Sequence, residues 1–161
     1  MKAEGKPSTI TQAKDKARKF CAYQERCHKE LRDRLYEWEL YTNEVEEVIA
    51  GMIEEGFLNE ERFARAFAGG KFRVKHWGRI KIKAELKAKQ ISDYCIRAGL
   101  SEIDEEEYNK MLVKELEKKM KTLKDRNQLV RNQKTSRYLM SKGFEPDMIW
   151  DYLRKHYTGM K

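Results

Sequence analysis

The sequence predicts an all-α protein of three tandem three-helix repeats, elongated and curved. Three observations carry this prediction. The chain of 161 residues holds only two prolines and nine glycines, too little turn chemistry for a sandwich or barrel of short strands. Its charged fraction is 39%, against roughly 25% in an average globular chain, and helices supply the wide solvated faces such a composition needs. Apolar residues recur three and four apart, and the pattern repeats about every fifty residues.

The elements follow in order. Residues 1–8 are expected to be disordered, being short and polar. Ser8 or Thr9 caps a first helix to about Tyr23, with Ala13, Ala17 and Phe20 on one side. A second, from Cys27 to about Leu40, sets Leu31, Leu35 and Trp38 at helical spacing. Asn43 is expected to cap a third, striped by Val45, Val48, Ile49, Met52 and Ile53, which Gly56 closes as a C′ residue. Residues 9–56 form the first repeat. The second, 57–101, opens at Leu58-Asn59-Glu60-Glu61-Arg62-Phe63. The third, 102–161, opens in the same way at Ile103-Asp104-Glu105-Glu106-Glu107-Tyr108. In both, a polar cap precedes acids in the first turn, and Leu58 and Ile103 can staple across the cap to Phe63 and Tyr108. Asp104 with Glu107 is expected to complete a capping box. Leu35, Leu86 and Leu139 mark one position in the three repeats, 51 and 53 residues apart. One such unit cannot bury its own apolar face, so stacked neighbours supply the core, and a monomer is expected.

The formal charge of +8 is strongly segregated. From Glu37 to Glu61 there are nine acids and no base, whereas residues 62–101 carry eleven bases against Glu85 and Asp93. A basic surplus of this size favours a polyanion or an acidic protein surface as partner. No apolar run approaches the ~20 residues a bilayer span needs, and no apolar signal core opens the chain, so a non-membrane protein is expected. The odd set of three cysteines, without a CxxC pair, reads as reduced thiols and makes a cytoplasmic protein the expectation. Neither a Gly-rich phosphate loop nor a GxSxG or HExxH motif occurs, the acids sit in first turns, and no metal or cofactor is expected. A non-enzymatic protein is the reading.

The most informative segment is 71–89, where eight bases face only Glu85. Gly69-Gly70 and Gly78 are expected to let the chain bend on either side of Lys71–Trp77. On the helix that follows, Arg79, Lys83 and Lys87 share an arc of about 80°. Ile80, Ala84, Ala88 and Ile91 occupy a second arc, and Ile82 with Leu86 a third, so this helix is expected to be buried on two sides with a basic stripe between. Such a stripe suits phosphates, with no feature that reads base sequence. Phe72, Trp77 and Tyr94 are better read as core rings than as base-stacking platforms. Lys110–Lys124 is basic enough for its helix to project beyond the core.

Several segments together resemble the RecX regulatory family. They are Leu31-Arg32-Asp33-Arg34-Leu35; Gly56-Phe57-Leu58-Asn59-Glu60-Glu61-Arg62-Phe63-Ala64-Arg65-Ala66-Phe67; Gly78-Arg79-Ile80, leading to Glu85-Leu86-Lys87-Ala88-Lys89 and Ile91; and Leu139 to Phe144 with its Gly-Phe pair. The resemblance spans about residues 12–157. Gln90 stands where the family usually has glycine, Asn59 where it usually has aspartate, and Gly69-Gly70 replaces a commonly charged stretch. The resemblance implies tandem three-helix repeats. It also implies a regulator, mainly an inhibitor, of the RecA recombinase in homologous recombination, DNA repair and the SOS response. Such a protein binds the RecA–single-stranded-DNA filament and limits its extension, ATPase, strand-exchange and coprotease activities. Charge placement makes Arg73, Lys75, Arg79, Lys83 and Lys87 the candidates for non-sequence-specific contact with the DNA. It makes Glu44, Glu46 and Glu47 the candidates for contact with basic protein surface. The alternatives are a stand-alone helical nucleic-acid-binding module without a recombinase partner and, more weakly, a protein–protein scaffold.

Overall fold

The computed structural model describes residues 9–158, so the expectation for residues 1–8 lies outside the described residues. Among the described residues there are nine α-helices and no strand. They are α1 (Ile10–Tyr23), α2 (His28–Glu37), α3 (Thr42–Glu54), α4 (Glu60–Lys75), α5 (Arg79–Ala88), α6 (Asp93–Leu100), α7 (Glu105–Thr122), α8 (Gln128–Ser141) and α9 (Pro146–His156). By contact the chain groups into two compact units. Among the described residues one contains 9–66 with Lys87–Gly99; the other contains Phe67–Leu86 and 100–158.

The helix ends are written into the sequence. Thr9 Oγ1 accepts the Gln12 N–H at 3.1 Å, Asn59 Oδ1 the Arg62 N–H at 2.8 Å, and Asp104 Oδ2 the Glu107 N–H at 3.0 Å. Each satisfies one of the donors a helix start leaves unpaired. Before α3 the cap falls at Tyr41, not Asn43, and the Glu44 carboxylate reaches back to accept the Tyr41 N–H at 2.8 Å. Gly56 (φ 83°) ends α3 as predicted, and the Phe57 N–H returns to the Met52 carbonyl at 2.9 Å.

The repeat is also visible in the backbone. Glu39, Gln90 and Gly143 follow α2, α5 and α8, and all three are left-handed, with φ of 65°, 62° and 99°. Each stands four residues after the fully buried Leu35, Leu86 or Leu139, and each precedes a buried apolar residue, Leu40, Ile91 or Phe144. In the first and third repeats the residue after the turn donates to the leucine carbonyl, Leu40 to Leu35 at 3.3 Å and Phe144 to Leu139 at 3.1 Å. This is the Schellman arrangement with its apolar clasp.

In the first unit, Ala13, Ala17 and Cys21 of α1 form a narrow edge that lets the helix approach Leu31 and Leu35 of α2 and Val45, Val48, Ile49 and Met52 of α3. Burying each such leucine or valine contributes roughly 1.5–3 kcal/mol. In the same unit α4 and α6 approach each other so closely that a Cβ on Gly99 would lie 2.6 Å from the Ala64 carbonyl oxygen.

In the second unit the buried Tyr108 ring lies 5.8 Å from Phe72 and 5.3 Å from Phe144, centroid to centroid. Beside it Gly78 and Gly143 meet backbone to backbone. The Gly78 N–H donates to the Lys142 carbonyl at 2.7 Å, and the Ile80 N–H to the Gly143 carbonyl at 2.9 Å. A Cβ on Gly78 would lie 2.3 Å from the Gly143 carbonyl carbon, and one on Gly143 would lie 2.4 Å from Lys81 Cβ.

Three further expectations need correction. The chain does not bend at Gly69-Gly70: α4 runs through both, and the Arg73 guanidinium lies where a Gly69 side chain would be. The turn comes at His76 (φ 57°), where the Trp77 N–H returns to the Lys71 carbonyl at 3.1 Å. α5 is buried on one side, through Ile82 and Leu86, while Ile80, Ala84 and Ala88 are exposed. α7 does not project, because Tyr108, Leu112, Glu115, Leu116 and Met120 bury one face along its length.

The left-handed positions should respond oppositely to substitution. Gln90→Gly relieves a strained L-residue conformation and should raise the unfolding free energy by about 0.5–1 kcal/mol, net of the added unfolded-chain entropy. Gly143→Ala adds an overlap with Lys81 and should cost more than about 3 kcal/mol. Urea denaturation of the two variants beside the parent measures both; a loss on Gln90→Gly would contradict the strain assignment.

Candidate nucleic-acid interface

The bases of the 71–89 segment perform different tasks. Arg79, at the start of α5, is consumed by the fold of the second unit. Its Nε pairs with Glu145 Oε2 and its Nη1 with Glu105 Oε1, both at 2.8 Å. Its guanidinium lies 3.9 Å from the Tyr108 ring centroid, and its backbone N–H donates to Tyr108 Oη at 2.9 Å. The Tyr108 hydroxyl in turn donates to Glu145 Oε1 at 2.6 Å. Burial first, and then this bond to a carboxylate, push the Tyr108 phenol well above its ordinary pKa. The arrangement ties α5, α7 and the start of α9 together around one arginine.

Lys71 and Lys81 are held by Trp77. Their ammonium groups lie 5.0 and 4.4 Å from its ring centroid, and Phe67 meets the indole edge-on at 6.4 Å. In the first unit Lys89 pairs with Glu30 at 2.9 Å. Arg73 is exposed and lies over Gly69. Lys75 at the end of α4 and Lys83 and Lys87 on α5 are exposed and form no ion pair among the described residues. Lys83 and Lys87 stand one helical turn apart. Of the aromatic residues, Phe72 is a core ring and Tyr94 is exposed.

The acidic candidates divide in the same way. Glu44 caps α3. Glu46 is clasped by Arg32 through two bonds of 3.1 and 3.2 Å, whose hydrogen bonding holds its carboxyl below the usual range. Glu47 is exposed, with no ion pair among the described residues.

One charged group gave no sign of its role in the sequence. Glu115 sits in the run Lys110–Lys124 yet is only 3% exposed, with His76 Nδ1 3.0 Å from one carboxylate oxygen and Lys142 Nζ 3.1 Å from the other. Burial works against its charge, but the bonds from Lys142 and then His76 prevail, and its carboxyl lies below the ordinary range. His76 is the residue that turns the chain out of α4, and the Lys142 carbonyl accepts from Gly78. The triad therefore pins the segment carrying Arg73 and Lys75.

The family models for the first, second and third three-helix domains of RecX match residues 13–50, 59–100 and 105–153. The chain belongs to the RecX family. Among relatives, the regulatory protein RecX of Clostridium perfringens (strain 13 / Type A) is 34% identical over 129 residues, which are 79% of this chain and 60% of that protein. That of Bacillus subtilis (strain 168) is 30% identical over 135 residues, 84% of this chain and 51% of that protein. The chain thus spans about half to three-fifths of the length of these relatives. The crystal structure of RecX from Lactobacillus salivarius superposes with a TM-score of 0.79 at 22% identity, covering 91% of this chain and 95% of that one. A second RecX crystal structure superposes at 0.83 and 18% identity, covering 91% and 73%. These two likenesses establish the RecX fold.

The division of charges makes three predictions. Arg79→Ala strands Glu145 beside Tyr108 and should cost about 2–4 kcal/mol in urea denaturation. Lys83→Glu and Lys87→Glu should each stay within about 0.5 kcal/mol of the parent. For Glu115 the folded carboxyl titrates below the unfolded one, so its contribution is present above the usual carboxylate range and lost as pH falls through the folded value. Between about pH 5 and pH 3 the parent should lose stability more steeply than Glu115→Gln, which should already be weaker at neutral pH. Parallel slopes would exclude an ionised Glu115.

Proposed function

We propose that this RecX chain is a non-enzymatic regulator, mainly an inhibitor, of the RecA recombinase. It acts on the filament that RecA forms on single-stranded DNA, limiting filament extension and the ATPase, strand-exchange and coprotease activities that depend on it. Membership in a family whose members are named regulatory proteins carries the reading. Charge gives it a physical form. Arg73, Lys75, Lys83 and Lys87 are exposed and contact DNA phosphates without reading sequence. Arg79 positions α5 from within the second unit, and Glu47 meets basic protein surface. The three-repeat division at 9–56, 57–101 and 102–161 lets each repeat address a separate part of such a filament, with the chain acting as a monomer in the cytoplasm.

The test is the single-stranded-DNA-dependent ATPase of the cognate RecA titrated with this chain. Half-maximal inhibition is expected well below one chain per RecA protomer. Inhibition only at lattice-covering amounts, with direct DNA binding by the chain alone, would point to the stand-alone nucleic-acid module.

A further inference from the structure

Among the described residues four glycines lie inside helices, Gly51, Gly69, Gly70 and Gly99. Three of them make room for a neighbour. A Cβ on Gly51 would lie 3.0 Å from Lys14 Cε, one on Gly69 2.7 Å from Arg73 Nη2, and one on Gly99 2.6 Å from the Ala64 carbonyl oxygen. Gly70, in α4, differs. A Cβ there would meet no atom within 4 Å outside its own helix backbone and chain neighbours, and its backbone is helical rather than left-handed. Neither packing nor backbone angle requires glycine at this position. Glycine is nonetheless costly there, because each one in a helix interior lowers the helical equilibrium roughly four- to fivefold relative to alanine. Gly69-Gly70 sets two in succession.

The pair stands between two anchorages of one helix. The chain passes from unit to unit three times, after Ala66, Leu86 and Gly99. The second passage falls in the last turn of α5, shortly before the left-handed Gln90, and the third at the end of α6, before the turn at 101–104. Only the first runs through a helix interior, that of the 16-residue α4. The start of α4 belongs to the first unit, where Ala64 is fully buried and packs against Gly99. Its end belongs to the second, where the Phe72 ring lies 5.8 Å from that of Tyr108 and His76 Nδ1 3.0 Å from Glu115. Gly69 and Gly70 separate these two sets of contacts.

We infer that α4 is a hinge, opening at Gly69-Gly70 while each end stays docked in its own unit. The bonds that give way run from the N–H groups of residues 70–73 to the carbonyls four residues before them. Glycine's wide range of φ and ψ lets those dihedrals change without a Cβ clash. A few such residues are enough to absorb the change of backbone angle in a hinge. The other two passages already lie at helix ends, so the interior of α4 is the stiffest link, and softening it frees the connection. Arg73 and Lys75 lie beyond the pair and move with the second unit. The inference rests on packing and helix propensity alone and is independent of the RecA reading.

The test is a distance distribution in the full chain by double electron–electron resonance. Nitroxides are attached at Glu47→Cys in α3 and Lys118→Cys in α7, both exposed positions. Cys95→Ser leaves these as the accessible thiols, because Cys21 and Cys27 are buried. The labelled parent should show a minor population beside its main peak. Adding Gly70→Ala, whose methyl group enters open space, should reduce that population roughly four- to fivefold. Native-state hydrogen exchange locates the motion: amides 70–73 should exchange faster than those of His76 and Trp77, although the latter two lie nearer the end of the helix. Circular dichroism melts confirm that the labelled chains remain folded. A single narrow distribution in the parent would overturn the hinge. A minor population unchanged by Gly70→Ala would overturn it as well, assigning the motion to Gln90 or the turn after α6. Protection that declines steadily toward Trp77 would mark fraying of the helix end and would also refute it. None of these outcomes depends on the RecA ATPase titration.

Discussion

The second unit depends on one place where two backbones touch. Gly78 and Gly143 lie so close that neither tolerates a Cβ, and two hydrogen bonds run from the start of α5 to the end of α8. This contact fixes where α5 begins and hence where Arg79 must stand. From there Arg79 reaches Glu105, Glu145 and the Tyr108 ring. The neighbouring Lys142 side chain reaches Glu115, which also takes His76. An apolar core alone tolerates sliding; a glycine contact flanked by two ion-pair clusters does not, because a shift strands buried charge.

That arrangement separates two kinds of charge in a chain rich in both. Arg79, Glu115, Glu145 and Lys142 are partners of one another and hold helices in place. Lys71 and Lys81 are held on Trp77, and Lys16 and Arg34 on Trp38 and Phe20. Lys75, Lys83 and Lys87 project from helices whose positions the first group determines. A phosphate-binding surface benefits from such a frame, since cations carried on rigid helices lose less freedom on contact than cations on loops.

The helices and their repeat were legible because they rest on local signals. Leu35, Leu86 and Leu139 announced the period, and each proves to be the buried leucine before a left-handed turn. Gln90, standing where the family usually has glycine, keeps the glycine conformation at φ 62° with its side chain exposed. Gly143 needs both the angle and the missing side chain. Gly69-Gly70 misled because glycine permits a bend without requiring one, and the helix continues under Arg73. The site was less legible. Periodicity places Arg79, Lys83 and Lys87 on one arc, but it cannot reveal that Glu105 and Glu145 converge on the first of them from sequence positions far away. Glu115 was hidden for the same reason: its partners, His76 and Lys142, lie 39 and 27 residues from it along the chain.

The most direct measurement is photo-crosslinking from Lys83→p-benzoylphenylalanine in this chain to an assembled RecA–single-stranded-DNA filament, with the same residue at Glu47 as comparison. If exposed α5 lysines lie on the strand while Glu47 faces protein, position 83 will give adducts with the oligonucleotide and position 47 adducts with RecA. Adducts from position 83 to RecA alone, with none to DNA, would contradict the assignment of unpaired basic charge to the nucleic acid.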